Sequence, residues 1–310
     1  MNYISFDIGG TQIKYGILTE KAEILKKASF ASQRENAEAV FSAVVDVVKE
    51  HQEAYKLQGV ALSLPGIVPI ETGIIPFMGA ISITEPMNIK EYITSRTGLP
   101  VELDNDANCA TMAELWQGAA RGCRNFVCFT IGTGIGGGLV IHGELYRGKN
   151  YSVGEFGMMY NEQDVKVLPQ GFRGRKDGLP ESWSAQGSMQ ILVMRLREMT
   201  NNAELEGVEI FAKAEQKEEP YYSEVERFYH ANAVGIYNLW AALDPEKIII
   251  GGGVSAQGDK LIKNLERHLE EIKENPVVFV PKNTVTTCQF GNDAGIIGAV
   301  YHFLHQQGKI

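Results

Sequence analysis

The sequence lacks the features that mark several classes of protein. Its four cysteines are scattered and form no C-x-x-C pair, so we expect free thiols in a reducing, cytoplasmic compartment. No apolar run is long enough to span a bilayer, and the first predicted strand begins at once, so neither membrane insertion nor a signal peptide is expected. The formal net charge of −9 argues against nucleic acid or an anionic membrane as the main partner. These absences leave small molecules as the expected partners.

Two familiar phosphate-binding signatures are also missing. The Walker pattern G-x-x-x-x-G-K-[ST] does not occur. Gly132, Gly134 and Gly137 match G-x-G-x-x-G, but a strand-like segment follows them where a dinucleotide-binding fold needs a helix. We therefore predict neither of these two folds.

Glycine is abundant instead, and two glycine-rich segments repeat one pattern. In each, apolar residues flank the glycines, which predicts a strand, a tight turn and a second strand. Main-chain N–H groups in such turns can form a concave anion site. Either hairpin alone is more simply a structural turn, but the repetition favours two hairpins that clamp a phosphate chain. The residues assigned to these hairpins are Gly9, Gly10, Thr11 and Lys14 in the first, and Gly132, Thr133, Gly134 and Gly136 in the second.

Strands and helices alternate along the chain, which predicts an α/β fold. The 310 residues correspond to about two domains, and no linker separates them, so we expect interwoven lobes. We predict a small lobe over 1–118, completed by a C-terminal helix at about 294–310, and a large lobe over 119–293. The pattern of the large lobe predicts, among other elements, a helix near 182–200 and a strand near 277–280.

Two aspartates follow buried strands and are candidates for chemistry. Asp7 precedes the first glycine turn, where it either forms the turn or holds Mg²⁺ through water beside the phosphates. The paired hairpins favour the second interpretation. Asp106 stands beside Asn105 in the first turn of a predicted helix, where capping is the alternative to a role as general base. A helix N-terminus also favours the ionised carboxylate.

Two glutamates, Glu155 and Glu181, lie in a segment that is mostly loop. Carboxylate oxygens accept charge-assisted hydrogen bonds from sugar hydroxyls, which makes both residues candidates for sugar binding. From the residues alone, solvent-exposed loop positions are the simpler interpretation.

Six motifs, in family order, resemble the ROK family of sugar kinases within the actin-like ATPase superfamily, and the resemblance covers essentially the whole chain. The motifs are Asp7–Thr11, Leu64–Gly66, Asp104–Asn108, Gly132–Gly138, Gly154–Gly157 and Gly251–Val254. The resemblance implies a two-lobed, ribonuclease H-like α/β fold with its active site in the inter-lobe cleft. It implies ATP and Mg²⁺ as cofactors, a homodimer, and phosphorylation of a hexose, usually at the 6-hydroxyl.

The resemblance also implies roles for single residues. Asp106 is the expected base, and the sugar hydroxyls are held by Asn105, Glu155 and Glu181. Gly66 contacts the sugar through its backbone, while the adenosine is clamped by Gly251, Gly252 and Gly253.

Two departures from the family pattern affect these expectations. Met158 stands where the family usually has a zinc-binding His, and the span 167–180 has none of the family's usual cysteines. We therefore expect no structural zinc. Met158 also replaces a donor near the sugar with an adaptable apolar surface. Glucose, a β-glucoside or an N-acetylated hexosamine all stay open as substrates.

A sugar-sensing protein without catalysis is the alternative function. Relatives that repress transcription carry a DNA-binding segment before the first hairpin, whereas here that hairpin begins at residue 6. The presence of both Asp7 and Asp106 favours the kinase.

Overall fold

The computed structural model describes residues 1–76, 78–162, 181–272 and 280–310, and of Glu162 and Glu181 it describes the backbone alone. Contacts divide the chain into two compact units. Unit 1 consists of Met1–Gly122, Glu144–Val153 and Asn292–Ile310, and unit 2 of Cys123–Gly143 and Gly154–Gly291. The lobe boundaries given above stay predictions.

The elements are numbered in chain order. The strands are β1 (Asn2–Ile8), β2 (Gln12–Thr19), β3 (Ile24–Ala31), β4 (Leu57–Leu64), β5 (Ile74–Ile75), β6 (Met87–Asn88), β7 (Val101–Asn105), β8 (Phe126–Ile131), β9 (Ile135–Ile141), β10 (Glu144–Leu145), β11 (Tyr160–Glu162), β12 (Glu181–Ser182), β13 (Lys247–Gly251) and β14 (Val285–Thr287). The α-helices are α1 (Ala37–Tyr55), α2 (Ile89–Thr97), α3 (Asp106–Gln117), α4 (Trp183–Gly187), α5 (Met189–Thr200), α6 (Gly207–Glu215), α7 (Tyr221–Leu243), α8 (Asp259–Ile272) and α9 (Ala294–Gln306).

Unit 1 contains a five-stranded sheet in the order β3-β2-β1-β4-β7. The hairpin strands pair antiparallel, whereas β1, β4 and β7 run parallel, so these three strands end at the same edge of the sheet. Helices α1 and α9 pack on β1 and β4, which explains why those strands are buried along nearly their whole length. The edge that carries the ends of β1, β4 and β7 presents Asp7, Ser63 and Asn105.

In unit 2, β9, β8, β13 and β14 are neighbours in that order. Strands β8 and β9 form an antiparallel hairpin, and β13 pairs parallel with both β8 and β14. Helix α4 packs on α7, and its Trp183 is fully buried. The Trp183 indole donates to Asn232 Oδ1 at 3.0 Å and lies 5.0 Å from the Phe129 ring, so it fixes α4 against the core.

Three details of unit 2 differ from the expectation. The helix predicted near 182–200 is interrupted at Ser188, whose hydroxyl accepts from Ile191 N–H and so caps a second helix, α5. Helix α6 and strand β14 were not expected. Most of the strand predicted near 277–280 lies outside the described residues.

Two expectations about the chain's character can be compared with the structure. All four cysteines are free. Within the described part of the chain, none of the helices combines the length and apolar character needed to cross a bilayer.

Candidate functional site

The end of β7 and the start of α3 form a tightly bonded corner. Asn105 Oδ1 accepts from the backbone N–H of Ala107 at 2.9 Å and of Asn108 at 3.1 Å, which caps the helix. The amide nitrogen of Asn105 donates to the Gly66 carbonyl and to Asp106 Oδ1, both at 2.9 Å. The Asn105 side chain therefore ties together the cap, the loop after β4 and the carboxylate of Asp106.

Asp106 is the first residue of α3, and its side chain is exposed. Its Oδ1 also accepts from Ala107 N–H at 2.8 Å, so two donors hold the same oxygen. A helix N-terminus is a favourable place for a negative charge. Asn105 thus caps the helix, while the adjacent Asp106 is exposed. The corner presents a fixed, exposed carboxylate that can accept a proton.

Gly66 follows β4 with φ of +97°, a conformation that strains residues with a side chain. This turn is what places the Gly66 carbonyl within reach of Asn105. The loop after β4 is thereby anchored to the corner that carries Asp106.

A second carboxylate, Asp7, lies at the same sheet edge on β1. Ser63 Oγ donates to Asp7 Oδ1 at 2.9 Å, and Lys14 Nζ lies 3.9 Å from Oδ2. Burial raises the pKa of the Asp7 carboxyl, against the opposing effects of Ser63 and Lys14. The side chain is still 25% exposed. A partly exposed carboxylate suits a hard, hydrated cation such as Mg²⁺.

Helix α9 contributes a contact to Asp7 that the motif analysis missed. A Cβ atom on Gly295 would lie 2.8 Å from the Asp7 carboxyl carbon, so only glycine lets this helix start so close to the acid. Gly298 is similarly tight, because a Cβ there would overlap the Cys109 carbonyl oxygen. Two glycines three residues apart in an apolar helix were the available signal.

The turn of the first hairpin spans residues 9–12. Gly9 N–H donates to the Gln12 carbonyl at 3.2 Å, and Thr11 is exposed. Gly10 packs beside Ala80, whose carbonyl oxygen would lie 3.1 Å from an added Cβ.

The turn of the second hairpin spans residues 132–134. Gly132 N–H donates to the Gly134 carbonyl at 2.9 Å, while Thr133 and Gly134 are exposed; Gly136 already belongs to β9. The Ile135 N–H donates to Ser184 Oγ at 2.9 Å, so α4 supports the turn. Ser184 lies outside the six sequence motifs.

Of the two predicted sugar-binding glutamates of unit 2, the structure describes the side chain of Glu155 and only the backbone of Glu181. Glu155 is half-buried at the start of a 3₁₀ helix over Phe156–Met158, and burial raises the pKa of its carboxyl. Met158, at the end of that helix, is 71% exposed. Glu181 pairs with Glu162 in the short β11–β12 sheet, but its side chain lies outside the described atoms.

The third glycine turn follows β13. Gly252 has φ of +83°, and a Cβ on it would overlap the Ile131 carbonyl oxygen, which ties this turn closely to β8. Gly251 ends β13, and Gly253 begins a 3₁₀ helix with open space where its Cβ would be.

Comparison with known proteins gives the family. A family model described as the ROK family matches residues 3–306. The chain belongs to the ROK family. Among its relatives, a β-glucoside kinase of Listeria monocytogenes is 35% identical over 100% of this chain and 99% of its own length. A glucokinase of Halalkalibacterium halodurans is 31% identical over 99% of this chain and 96% of its own.

A solved structure also resembles this ROK protein. The ROK family glucokinase of Streptomyces griseus, in complex with glucose and AMPPNP, has a TM-score of 0.79 and 27% identity, and the match covers 99% of this chain and 100% of that one. The α/β chain, whose described residues include two five-stranded sheets, thus has the actin-like ATPase fold, as the motifs led us to expect.

The expected absence of zinc stays a prediction for this ROK protein. In the described ranges, no cluster of three or more His, Cys, Asp or Glu side chains is arranged to hold a metal ion. The span 167–180, on which the prediction depends, lies outside those ranges.

Proposed function

We propose that this protein is an ATP-dependent sugar kinase that transfers the γ-phosphoryl group to the 6-hydroxyl of a hexose, with a β-glucoside as the preferred acceptor. Family membership and the relatives named as sugar kinases support the reaction class. The observation that carries the proposal is the corner of Asn105 and Asp106, which holds an exposed carboxylate at a helix N-terminus.

In the proposed reaction, Asp106 accepts the proton of the sugar hydroxyl as its oxygen attacks the γ-phosphorus. The new oxygen–phosphorus bond forms as the bond from the γ-phosphorus to the bridging oxygen of ADP breaks. The electron pair of the broken bond leaves with ADP. Because the carboxylate is fixed by two N–H donors, little reorganisation is needed when the hydroxyl arrives.

The phosphates need groups that offset their charge. We assign amide N–H groups of the two glycine hairpins, with Thr11, Lys14 and Thr133, to the phosphate oxygens. Asp7, with its partly exposed carboxylate, is the residue that would hold Mg²⁺ through water. When bound, Mg²⁺ supplies positive charge to the phosphates. Gly251, Gly252 and Gly253 are assigned to the adenosine.

The sugar class rests on two observations. A relative with 35% identity over the whole chain is named a β-glucoside kinase. Met158, in the position where the resemblance places a sugar-contacting His, is 71% exposed and offers an apolar, adaptable surface. An aglycone attached to the anomeric oxygen suits such a surface better than a free hydroxyl does. Glu155, Glu181, Asn105 and the Gly66 backbone are assigned to the sugar hydroxyls.

The test is ADP release by the wild-type protein and by Asp106→Asn, with sugar binding measured separately. Asparagine keeps the oxygen that accepts the two N–H bonds but is not a base. We expect turnover to fall by about 10²–10⁴-fold while sugar still binds. Asp46→Asn, an exposed aspartate on α1, is the matched control and should keep full activity. Full turnover by a folded Asp106→Asn protein would contradict the assignment.

The acceptor panel is glucose, cellobiose, N-acetylmannosamine and N-acetylglucosamine. Preferred turnover of cellobiose supports the β-glucoside proposal. Sugar binding without ADP release from any acceptor would instead support the non-catalytic sugar sensor. A homodimer stays a prediction from the family resemblance, and a cytoplasmic location stays a prediction from the scattered cysteines.

A further inference from the structure

The residue before the Asn105 corner, Asp104, is a fully buried carboxylate with an unusually dense set of donors. Its Oδ1 accepts from Asn105 N–H at 2.7 Å and from Asn108 Nδ2 at 3.0 Å. Its Oδ2 accepts from Arg147 Nε at 3.0 Å and Nη2 at 2.5 Å. Asp104 therefore forms hydrogen bonds with Asn105 and Asn108, which lie on either side of Asp106 along the chain. Arg147 in turn forms an ion pair with Asp104.

Arg147 itself is held from a second direction. Its Nη2 lies 3.3 Å from Nδ1 of His302, a buried residue of α9. Burial lowers the pKa of His302 to about 4, so the imidazole is neutral at neutral pH. Because arginine has only donors, the His302 nitrogen is the acceptor in this contact. His302 thus orients the guanidinium and adds no charge of its own.

The ion pair between Arg147 and Asp104 lies deeper in the protein than an ordinary surface ion pair does. Removing Arg147 would leave a buried carboxylate without its counter-charge, and such a group is strongly unfavourable. The carboxylate would then move toward solvent or take up a proton. Either change alters its bonds to Asn105 N–H and to the Asn108 side chain, the two contacts that flank Asp106.

We propose that Arg147 is a positioning residue for the reaction: by holding Asp104 in place, it fixes the orientation of Asn105 and thereby of the Asp106 carboxylate. This inference rests on the proposed kinase function. Arg147 acts only through Asp104 and Asn105, so its loss is expected to lower kcat more than it weakens sugar binding.

The same strand provides a matched control. Lys90 Nζ lies 2.6 Å from Oε2 of Glu102, with side chains 22% and 12% exposed. Glu102 precedes Asp104 by two residues on β7, so Lys90→Met also removes a partly buried ion pair from this strand. None of the hydrogen bonds described above at Asn105 or Asp106 involves Lys90 or Glu102.

The experiment measures kcat, KM for the sugar and thermal unfolding for the wild type, Arg147→Met, Arg147→Lys and Lys90→Met. For Arg147→Met we expect kcat to fall by about 10- to 100-fold, the scale of a small misplacement of a reacting group, with KM changed far less. Lys90→Met should lower the unfolding temperature and leave kcat near the wild-type value. Arg147→Lys keeps the charge but not the two-pronged geometry, so its kcat should lie between those of the wild type and Arg147→Met.

Three outcomes separate the possibilities. A folded Arg147→Met protein with the kcat of Lys90→Met would overturn the inference and leave the proposed kinase intact. If Arg147→Met does not fold, Arg147→Lys decides, and wild-type kcat in that variant would also overturn it. Absence of turnover in the wild type would overturn the proposed function itself.

Discussion

The two glycine hairpins, β1–β2 and β8–β9, share a sequence pattern but differ in chemistry. Where the first has Asp7 paired with Lys14, the second has Thr130 paired with Gly136. Asp7 is a partly buried carboxylate with a hydroxyl donor and a nearby ammonium, whereas the Thr130 hydroxyl lies 3.4 Å from the Gly136 carbonyl. The first hairpin therefore carries charged groups at this position, and the second offers neutral groups alone at the equivalent position.

The glycines Gly9 and Gly132 of the two turns also differ in whether the surrounding structure requires a residue without a side chain. A Cβ on Gly9 would lie 2.7 Å from the Gln12 carbonyl oxygen of its own turn, whereas a Cβ on Gly132, its counterpart in register, would have no neighbour within 4 Å. Gly9 is thus required by the fold. Nothing described around Gly132 requires glycine, so we attribute that glycine to a ligand that approaches the backbone. A repeated motif therefore need not have one cause.

The largest expected effect tests the charge difference between the hairpins. Asp7→Asn should lower turnover by about 10²-fold or more and raise the Mg²⁺ concentration needed for activity, because the variant loses the negative charge assigned to Mg²⁺. Thr130→Val at the equivalent position should reduce turnover far less. The check is ADP release against Mg²⁺ concentration. Equal losses of turnover in the two variants would contradict the difference in charge role that we assign to the two hairpins.

A second comparison separates the two glycines. Gly9→Ala should destabilise unit 1 by about 1–3 kcal/mol, because the new methyl group meets the backbone of its own turn. Gly132→Ala should change stability by less than about 0.5 kcal/mol yet raise KM for ATP. Urea unfolding and ATP titrations measure both quantities. Unchanged ATP kinetics in Gly132→Ala would refute the ligand explanation for that glycine.

The smallest effect concerns the pH dependence of stability. Burial raises the pKa of Asp7 in the folded protein, so the folded state binds this proton more readily than the unfolded state does. This group therefore lowers stability as pH rises from its ordinary pKa through the raised value. Asp7→Asn should be more stable than the wild type at pH 7, and the difference should vanish in acid. A constant difference in unfolding free energy between these pH values would contradict the assigned shift.

Much of the fold follows from local patterns. The apolar runs of β1, β4 and β8 and the 3.6-residue period of α1 are strong signals, and the structure confirms these elements. The edge strand β3 is different: none of its residues is fully buried and two lysines lie within it, so it lacks the apolar run that marks the central strands. Likewise, the break at Ser188 depends on one cap inside an otherwise helical pattern.

The candidate site shows the same limit. Asn105 and Asp106 could be singled out because a strand end, a cap and an acid are adjacent in sequence. Ser184 and Arg147 could not, because their partners Ile135 and Asp104 are distant along the chain and only tertiary packing brings them together. For Gly295, the two glycines of α9 indicated a close approach, but the sequence did not show that the partner is Asp7. The spacing of residues along the sequence indicates local geometry. Contacts between residues that are distant along the chain can be seen only in the folded structure.

The most direct test of the central claim is ADP release by the wild-type protein with ATP, Mg²⁺ and the four acceptor sugars, beside Asp106→Asn. We expect sugar-dependent ADP release, fastest with cellobiose, which the substitution lowers by about 10²–10⁴-fold without abolishing sugar binding. Sugar binding with no ADP release from any acceptor would contradict it.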